Sequence, residues 1–345
     1  MEGGGVMWRS GLKWMFLIMG TTIGAGYASG RELWQFFGDQ SGLAILLFTI
    51  IFSICCYVIM KISYEEKSEH FSPVLKRLIG KKLSYFYEIM IVIYLFSTTV
   101  VMLAGGGATL EMFHIPYWGG ILIFAFLLVL LFVWDIKGMI SINAFILPIL
   151  IIGLIGILLS FILKNGQPFS FNLEAQKNWP AAFTFSALNV LPLVAVLSAI
   201  GKEMKSKAEG LISSVGSGIV LGTISFIYNE SLMQIASQIV LYEIPLFAIL
   251  ENYPYSMIIF MSFLLWAAIY TTAASGVFGI TSRFREGINL PLWAIAAITV
   301  LAMIPFTTFG FATLVSVLYP LYGIANLYLL GAILLFPITN RYKWD

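Results

Sequence analysis

The sequence predicts an all-α integral membrane protein of about ten transmembrane helices, arranged as two inverted repeats of five. Hydrophobic residues make up 60% of the 345 positions and charged residues only 10%, whereas globular proteins carry about 25% charged residues. The apolar residues form continuous runs of roughly 20 positions, the length that crosses a ~30 Å hydrocarbon core. Basic residues cluster in every second connection between these runs. The composition excludes a nucleic-acid-binding protein, a cytosolic enzyme and a secreted disulfide scaffold.

Ten apolar runs are long enough to span a bilayer. Each is continuous rather than alternating, which favours helices over the strands of a membrane barrel. The first lacks a small-residue cleavage site, so we expect a membrane helix there rather than a signal peptide. The predicted spans are 11–37, 41–63, 83–108, 117–134, 139–163, 181–201, 207–230, 254–282, 288–309 and 311–337.

The distribution of Lys and Arg predicts the orientation of these spans. With the N-terminus inside, sixteen of these residues fall on the inner side and only two, Lys164 and Lys177, on the outer side. Positively charged loops remain in the cytoplasm. We therefore expect a multi-pass protein of the cell membrane with both termini cytoplasmic.

Three connections are longer than a turn. Residues 64–82 are polar and basic and are expected to form a surface helix on the inner side. Residues 231–253 contain no Lys or Arg and predict a helical lid on the outer face. The outer connection 164–180 separates a first repeat, 11–163, from a second, 181–337. Because each repeat has five spans, the two have opposite topology.

The first span of each repeat carries residues that interrupt a helix. In the first span, the segment 20–26 reads Gly-Thr-Thr-Ile-Gly-Ala-Gly, and Gly lowers the cost of unwinding. In the sixth span, Asn189 and Pro192 stand in an apolar run, and Pro removes a backbone donor. Interrupted helices at matching places in two halves are typical of a transport site.

The string GTTIGAGYASGRELWQFF at 20–37 resembles the opening helix of the YkvI-type bacterial membrane proteins, which are grouped with amino-acid permeases. More distantly, the layout over 11–337 resembles the amino acid–polyamine–organocation superfamily with the leucine-transporter fold. The resemblance implies a secondary transporter for a small amino acid or related amine. Such a transporter works by alternating access, with its substrate between the first and sixth spans.

The substrate site is expected where the first span unwinds, because free amides there would face a substrate carboxylate. Polar side chains of the third, sixth and eighth spans complete the predicted pocket, and Tyr94 is similar in position to a substrate contact of the superfamily. For any one of these residues the alternative is ordinary helix–helix packing. The predicted substrate-binding residues are Thr22, Gly24, Ala25, Gly26, Tyr94, Ser97, Thr98, Phe185, Ser186, Asn189 and Ser275.

A sodium site is predicted beside them. In the eighth span, Ala268 is followed by Thr271 and Thr272, and this Ala-x-x-Thr-Thr pattern is similar to the sodium-site pattern of sodium-coupled superfamily members. The two threonine hydroxyls and the backbone carbonyls of Ala268, Gly20 and Ile23 together provide five oxygen ligands. Oxygen ligands suit a hard cation. The alternative is that the hydroxyls only bond back along their own helix.

Arg31 and Glu32 follow Gly24 by seven or eight residues, which places them ~11 Å further outward. They predict either an outer gate or an interfacial pair that reaches the headgroups. If Glu32 instead faces the cavity, it could carry a proton or bind a substrate amine. Proton coupling through Glu32 is therefore an alternative to sodium coupling, and a non-transporting amino-acid-sensing receptor subunit is another.

Some proton-coupled members of the superfamily have a Lys in the fifth helix, and its ammonium group replaces the sodium ion. The fifth span here, 139–163, contains no Lys, which argues against that mechanism. The sequence has no Ser/His/Asp set, phosphate loop or His/Glu metal motif, so an enzyme is not expected. Beyond sodium no cofactor is predicted. The expected partners are a small-molecule substrate and the lipid bilayer, not nucleic acid, and no oligomeric state is indicated.

Overall fold

A computed structural model describes residues 2–134, 137–165, 176–284 and 290–339. The basic residues Arg285, Arg341 and Lys343 lie outside the described residues. Within these ranges the chain forms fourteen α-helices and two short 3₁₀ segments, Ile239–Leu241 and Ile304–Phe309. The α-helices are α1 Glu2–Thr22, α2 Ala25–Ala28, α3 Arg31–Phe36, α4 Gly42–Glu66, α5 Phe71–Glu111, α6 Tyr117–Trp134, α7 Lys137–Asn165, α8 Ala181–Ser198, α9 Lys207–Gln234, α10 Pro245–Leu250, α11 Tyr255–Phe284, α12 Leu292–Met303, α13 Phe311–Ala325 and α14 Leu327–Thr339.

The helices account for the predicted number of spans. By length and composition, seven elements can cross a membrane, and the pair α13–α14, bent by 41°, provides an eighth. The shorter apolar helix α6 and the broken series α1–α2–α3 correspond to the fourth and first predicted spans. The chain is thus a helical, multi-pass membrane protein with a helix count close to ten.

One end of the bundle is basic, and ion pairs hold its connections together. Lys13 of α1 lies 3.1 Å from Glu203, and Lys202 lies 2.7 Å from Glu69, which precedes α5. Arg77 near the start of α5 stacks over the Phe336 ring of α14. The ends of spans one, two, three, six, seven and ten therefore meet on one side, which we call the basic face.

The opposite ends of the spans meet on the other side, which we call the lid face. Asn178, just before α8, donates through Nδ2 to the carbonyl of Phe37 after α3, at 2.8 Å. Tyr117 at the start of α6 donates to the carbonyl of Thr307 at 2.8 Å. Successive spans thus run in opposite directions, as the spacing of basic residues predicts.

The predicted break in the first span is present between α1 and α2. The amide of Gly24 turns back to the carbonyl of Thr22 at 3.0 Å, so the helical ladder stops there. A second turn separates α2 from α3 at Gly30, whose φ of 81° is left-handed. A Cβ on Gly30 would lie 2.8 Å from the Tyr228 ring, so both backbone conformation and packing require glycine here.

The sixth span differs from the prediction. Helix α8 runs without interruption through Asn189 and Pro192, so the break expected there is not seen. A proline can remain inside a membrane helix when neighbouring helices satisfy the freed backbone group. What Pro192 does change is the hydrogen-bond ladder, because it has no N–H to give to the carbonyl of Leu188.

The two long connections that the structure describes match their predicted places. The basic segment 64–82 begins with the end of α4 and continues into the first turns of α5, which kinks at Gly80, where φ is 76°. The predicted lid, 231–253, contains the 3₁₀ segment Ile239–Leu241 and helix α10. Most of the outer connection 164–180 lies outside the described residues.

Candidate functional site

A cavity of about 510 Å³ opens beside the break in the first span. Helices α1, α3, α5, α7, α8, α11 and α13 all contribute to its wall, so six of the ten spans meet there. The lining residues are Lys13, Trp14, Phe16, Leu17, Gly20, Thr21, Thr22, Gly24, Glu32, Tyr94, Leu95, Thr98, Met102, Leu147, Leu188, Asn189, Pro192, Val196, Thr271, Thr272, Ser275, Gly276 and Tyr319.

Ten of the eighteen residues singled out from the sequence line this cavity. They come from four predicted spans, which the fold brings to one place. From the substrate set they are Thr22, Gly24, Tyr94, Thr98, Asn189 and Ser275; from the sodium set Gly20, Thr271 and Thr272; and from the gate pair Glu32.

The other eight lie around the cavity rather than on its surface. Ala25 and Gly26 are buried in α2, Ala268 is buried in α11, and Ile23 is buried in the break between α1 and α2. The Ser97 hydroxyl is paired with that of Tyr322 at 2.8 Å.

On α8, the Phe185 ring packs against the rings of Phe36, Phe37 and Phe48, with centroids 4.7–5.2 Å apart. Ser186 is also buried, and its hydroxyl has no hydrogen-bond partner among the described residues.

Arg31 and Glu32 do not form the pair that their adjacency suggests. Arg31 extends to the lid face, where its guanidinium donates to the carbonyls of Ile239, Tyr242 and Glu243. Glu32 points the other way and lines the cavity, with only 4% of its surface exposed. Arg31 therefore contacts the lid, and Glu32 lines the cavity.

The Glu32 carboxylate lies beside Gly26 of α2 and close to Tyr319 of α13. A Cβ on Gly26 would lie 2.7 Å from Glu32 Oε2 and 2.8 Å from Cε2 of Tyr319. Real Cβ atoms do not approach so closely, so the glycine leaves room for both side chains. Among the described residues, none donates a hydrogen bond to the Glu32 carboxylate or forms an ion pair with it.

Most hydroxyl groups on the wall donate to a carbonyl of their own helix. Thr98 donates to Tyr94, Thr272 to Ala268 and Ser275 to Thr271, at 2.8–3.0 Å. Such back-bonding uses the proton and leaves the oxygen lone pairs unused. These positions therefore present acceptors, not donors, to the cavity.

Three of the predicted sodium ligands, Gly20, Thr271 and Thr272, line the cavity. Thr272 lies near Gly24 at the break, since a Cβ on Gly24 would be 4.0 Å from the Thr272 methyl group. Both threonine hydroxyls donate to the Ala268 carbonyl, at 3.1 and 2.8 Å. This is the back-bonded arrangement considered as the alternative, yet it keeps both oxygens able to coordinate a cation.

The lid is attached to the helices that carry Glu32 and Tyr319, although none of its residues lines the cavity itself. Besides the contacts of Arg31, the Leu246 amide at the start of α10 donates to the Ser29 carbonyl at 3.0 Å. Glu243 accepts from the Ala312 amide at 2.6 Å, at the N-terminus of α13. The lid is therefore fastened both to the broken first span and to the tenth.

The cavity extends toward the basic face. Lys13, Trp14 and Val196 line it at that end, and the Lys13 side chain is 64% exposed. The Trp14 indole donates to Glu209 at 3.1 Å, away from the cavity. A solute would thus enter from the basic face and meet Glu32 at the end that Glu32 forms with Tyr319.

Several lining residues were missed by the sequence analysis. The most important is Tyr319 of α13, beside Glu32, because the tenth span was not expected to contribute. A tyrosine in mid-span next to Pro320 is a signal that could have indicated it. By contrast, three other lining residues are apolar side chains in apolar helices: Trp14, Leu147 and Met102. Only the packing of the helices shows that these side chains face the cavity.

No family model matches the chain, but curated relatives do. The chain is 50% identical over 338 residues to the Bacillus subtilis (strain 168) protein YyaD, covering 98% of this chain and all of YyaD. It is 27% identical to the Bacillus subtilis (strain 168) membrane protein YkvI, covering 92% of this chain and 94% of YkvI.

Solved structures of two transporters share the fold. The inward-facing conformation of Mhp1 matches with a TM-score of 0.61 at 14% identity, covering 94% of this chain and 75% of Mhp1. The Eremococcus coleocola manganese transporter matches with a TM-score of 0.61 at 15% identity, covering 95% of this chain and 78% of that protein. Both neighbours are transporters rather than enzymes, in agreement with the class predicted from the sequence. With half of its residues shared with YyaD along the whole chain, the protein belongs to the YyaD and YkvI family of membrane proteins and has the leucine-transporter-like fold.

Proposed function

We propose that the chain is a secondary active transporter that moves a small amino acid or related amine across the cell membrane by alternating access. The observation that carries the proposal is the cavity at the break in the first span, which extends toward the basic face, while the lid is attached to α3 and α13 on the lid face. A chamber at the break of a discontinuous helix is the usual place of a transport site. The substrate would bind between α1, α5, α8 and α11.

The basic face is the cytoplasmic side in this proposal, since loops rich in Lys and Arg stay inside. The described state would then be open to the cytoplasm and closed to the outside. Transport would require the lid contacts of Arg31 and Glu243 to open while the basic face closes around Lys13. The same ligand groups would serve both states, as alternating access demands.

Sodium is the proposed coupling ion, held by the carbonyls of Gly20, Ile23 and Ala268 and the hydroxyls of Thr271 and Thr272. Binding there would join α1 to α11, so that the ion favours one arrangement of the two helices. Support comes from Gly20, Thr271 and Thr272 lining one cavity. Proton coupling is the second candidate, favoured by the position of Glu32 in the same cavity.

Uptake of a labelled substrate into proteoliposomes tests the coupling ion. With a sodium gradient as the only driving force, the wild type is expected to accumulate substrate, and Thr272→Ala to lose most of the sodium dependence while expressing normally. Thr223→Ala removes a hydroxyl with the same back-bond in α9, away from the cavity, and should transport as the wild type does. Uptake that follows a proton gradient, ignores sodium and is lost in Glu32→Gln would replace sodium by proton coupling.

A further inference from the structure

Glu32 is an ionisable group for which no described residue is a hydrogen-bond or ion-pair partner. It lines the cavity, is 4% exposed, and receives no hydrogen bond or ion pair from a described residue. A carboxylate removed from water without a partner is strongly unfavourable. The end of the cavity at Glu32 is therefore suited to receive a positive charge.

The cationic side chains nearest to Glu32 in the cavity and in sequence are engaged elsewhere. Arg31 donates to three lid carbonyls on the opposite side of its helix. Lys13 pairs with Glu203 at the mouth, and it precedes Gly24 by eleven residues, which is ~16 Å along a helix. Neither supplies the charge that would neutralise Glu32.

Apart from the phenol groups of Tyr94 and Tyr319, the side-chain hydrogen-bond donors of the wall described below are engaged as well. The Asn189 amide group donates to the Phe185 carbonyl at 2.9 Å, and the Trp14 indole donates to Glu209. Phenol groups of Tyr94 and Tyr319 can act either way. Hydroxyls that donate to their own helix are those of Thr21, Thr22, Thr98, Thr271, Thr272 and Ser275. A chamber with one carboxylate and many acceptor oxygens matches a ligand that brings its own donors and a positive charge.

From these contacts we infer that the ligand is recognised by a primary ammonium group, which Glu32 binds at the end of the cavity that it forms with Tyr319. Three N–H donors of an ammonium would be shared between the Glu32 carboxylate and nearby oxygens. The rings of Tyr94 and Tyr319 border the same end, and aromatic walls favour organic cations. The inference rests on the proposed transport function. It narrows the substrate class to primary amines, whether or not the amine also carries a carboxylate group.

Thermal unfolding of the purified full-length protein in detergent and Tris-free buffer tests this assignment. The probes share one carbon skeleton: n-butylamine, the zwitterion 2-aminobutanoate, the neutral n-butanol and the anion butanoate, with 1,4-diaminobutane added as a second amine. Because a ligand that binds only the folded state raises the unfolding midpoint, both amines are expected to raise it, and butanol and butanoate to leave it unchanged. The zwitterion should bind no more tightly than butylamine.

Variants locate the binding group. Glu32→Gln keeps the shape and removes the charge, and should weaken amine binding on the order of 30-fold or more. Glu32→Asp keeps the charge and should retain part of the affinity. Glu230→Gln is the matched control, because Glu230 is a half-buried carboxylate of α9 that does not line the cavity, and it should bind amines as the wild type does.

The outcomes separate this inference from the transport proposal. No midpoint shift with either amine, equal shifts with butanoate or butanol, or unchanged amine binding in a folded Glu32→Gln would overturn the role of Glu32. A shift caused by sodium alone and lost in Glu32→Gln would also overturn it, by making Glu32 an ion ligand. Amine binding that depends on Glu32 without any flux in liposomes would leave the inference intact and contradict transport alone.

Discussion

At the residue scale, the cavity depends on a few close approaches rather than on many polar side chains. Gly26 allows α2 to pass directly over Glu32 and Tyr319. The left-handed turn at Gly30 then begins α3, in which the adjacent Arg31 and Glu32 point about 100° apart around the helix axis. These two glycines determine where the carboxylate lies, although neither lines the cavity itself.

Gly26→Ala tests this packing. The added methyl group would lie 2.7 Å from Glu32 Oε2, so the carboxylate or Tyr319 must move. We expect a loss of about 1–3 kcal/mol of unfolding free energy and at least a ~10-fold loss of amine affinity, since each 1.4 kcal/mol is tenfold. Thermal unfolding with and without n-butylamine measures both quantities.

The matched control is Gly156→Ala in α7, where an added Cβ meets nothing within 4 Å. It should leave amine affinity unchanged and keep or slightly raise stability, because Ala favours helix. If Gly26→Ala behaves like Gly156→Ala, the close approach over Glu32 does not position the carboxylate.

Which residues face the cavity could be predicted only in part from the sequence. Polar residues in mid-span, such as Thr98 and Asn189, were found because a polar group in an apolar helix stands out. Ser97 and Ser186 have the same character, but their helix rotation directs them into packing contacts. A difference of one residue changes the facing by about 100°, and the sequence pattern here, apolar on all sides, does not fix that rotation.

At the element scale, the interruption of a helix has different causes in the two repeats. The first span breaks at Gly24, where the backbone is extended, and turns again at Gly30, whose left-handed φ of 81° favours glycine. The sixth remains one helix around Pro192, which frees a carbonyl without unwinding the chain. The position of the special residues was therefore predictable, but the response of each backbone to them depends on the helices packed around it.

The lid is an element whose stability depends largely on Arg31. Three lid carbonyls accept from this one guanidinium, so Arg31→Ala should release segment 239–250 from α3. We expect amide hydrogen exchange in that segment to quicken by about tenfold or more, equivalent to ~1.4 kcal/mol of lost local stability. Exchange followed by mass spectrometry measures it.

Arg77→Ala is the control for lid opening. Arg77 lies on the basic face and pairs with Glu65 and Glu66 at 2.7 and 2.8 Å. Its removal should alter exchange near α4 and α5 while leaving the lid unchanged. Equal lid exchange in Arg31→Ala and in the wild type would mean that Glu243 and the Ser29 carbonyl hold the lid without it.

At the scale of the whole molecule, the two faces are fastened by different chemistry. The basic face uses exposed ion pairs such as Lys13–Glu203, which contribute about 0–1 kcal/mol each. The lid face uses backbone carbonyls that accept from buried or half-buried donors. An opening confined to the basic face is consistent with this difference, since its contacts are the weaker ones.

The architecture of the whole chain was the most predictable level. Hydropathy, the alternation of basic loops and the broken first span were sufficient for the fold and the orientation of the spans relative to one another. The sequence also indicated spans that line the cavity, because those spans carry the helix-interrupting residues and the hydroxyl groups. The end of the cavity formed by Glu32 and Tyr319 could be identified only from the structure, because these two residues are nearly 290 positions apart in the sequence.

The central claim is that this cavity carries an amine across a bilayer. Counterflow tests it independently of the coupling ion: proteoliposomes are loaded with unlabelled 1,4-diaminobutane, a dication that crosses lipid slowly, and diluted into a trace of labelled 1,4-diaminobutane. We predict that the labelled amine accumulates transiently with wild-type protein, and not with Glu32→Gln or in protein-free liposomes. Amine binding in detergent together with no counterflow above protein-free liposomes would contradict transport and indicate a receptor that binds without moving its ligand.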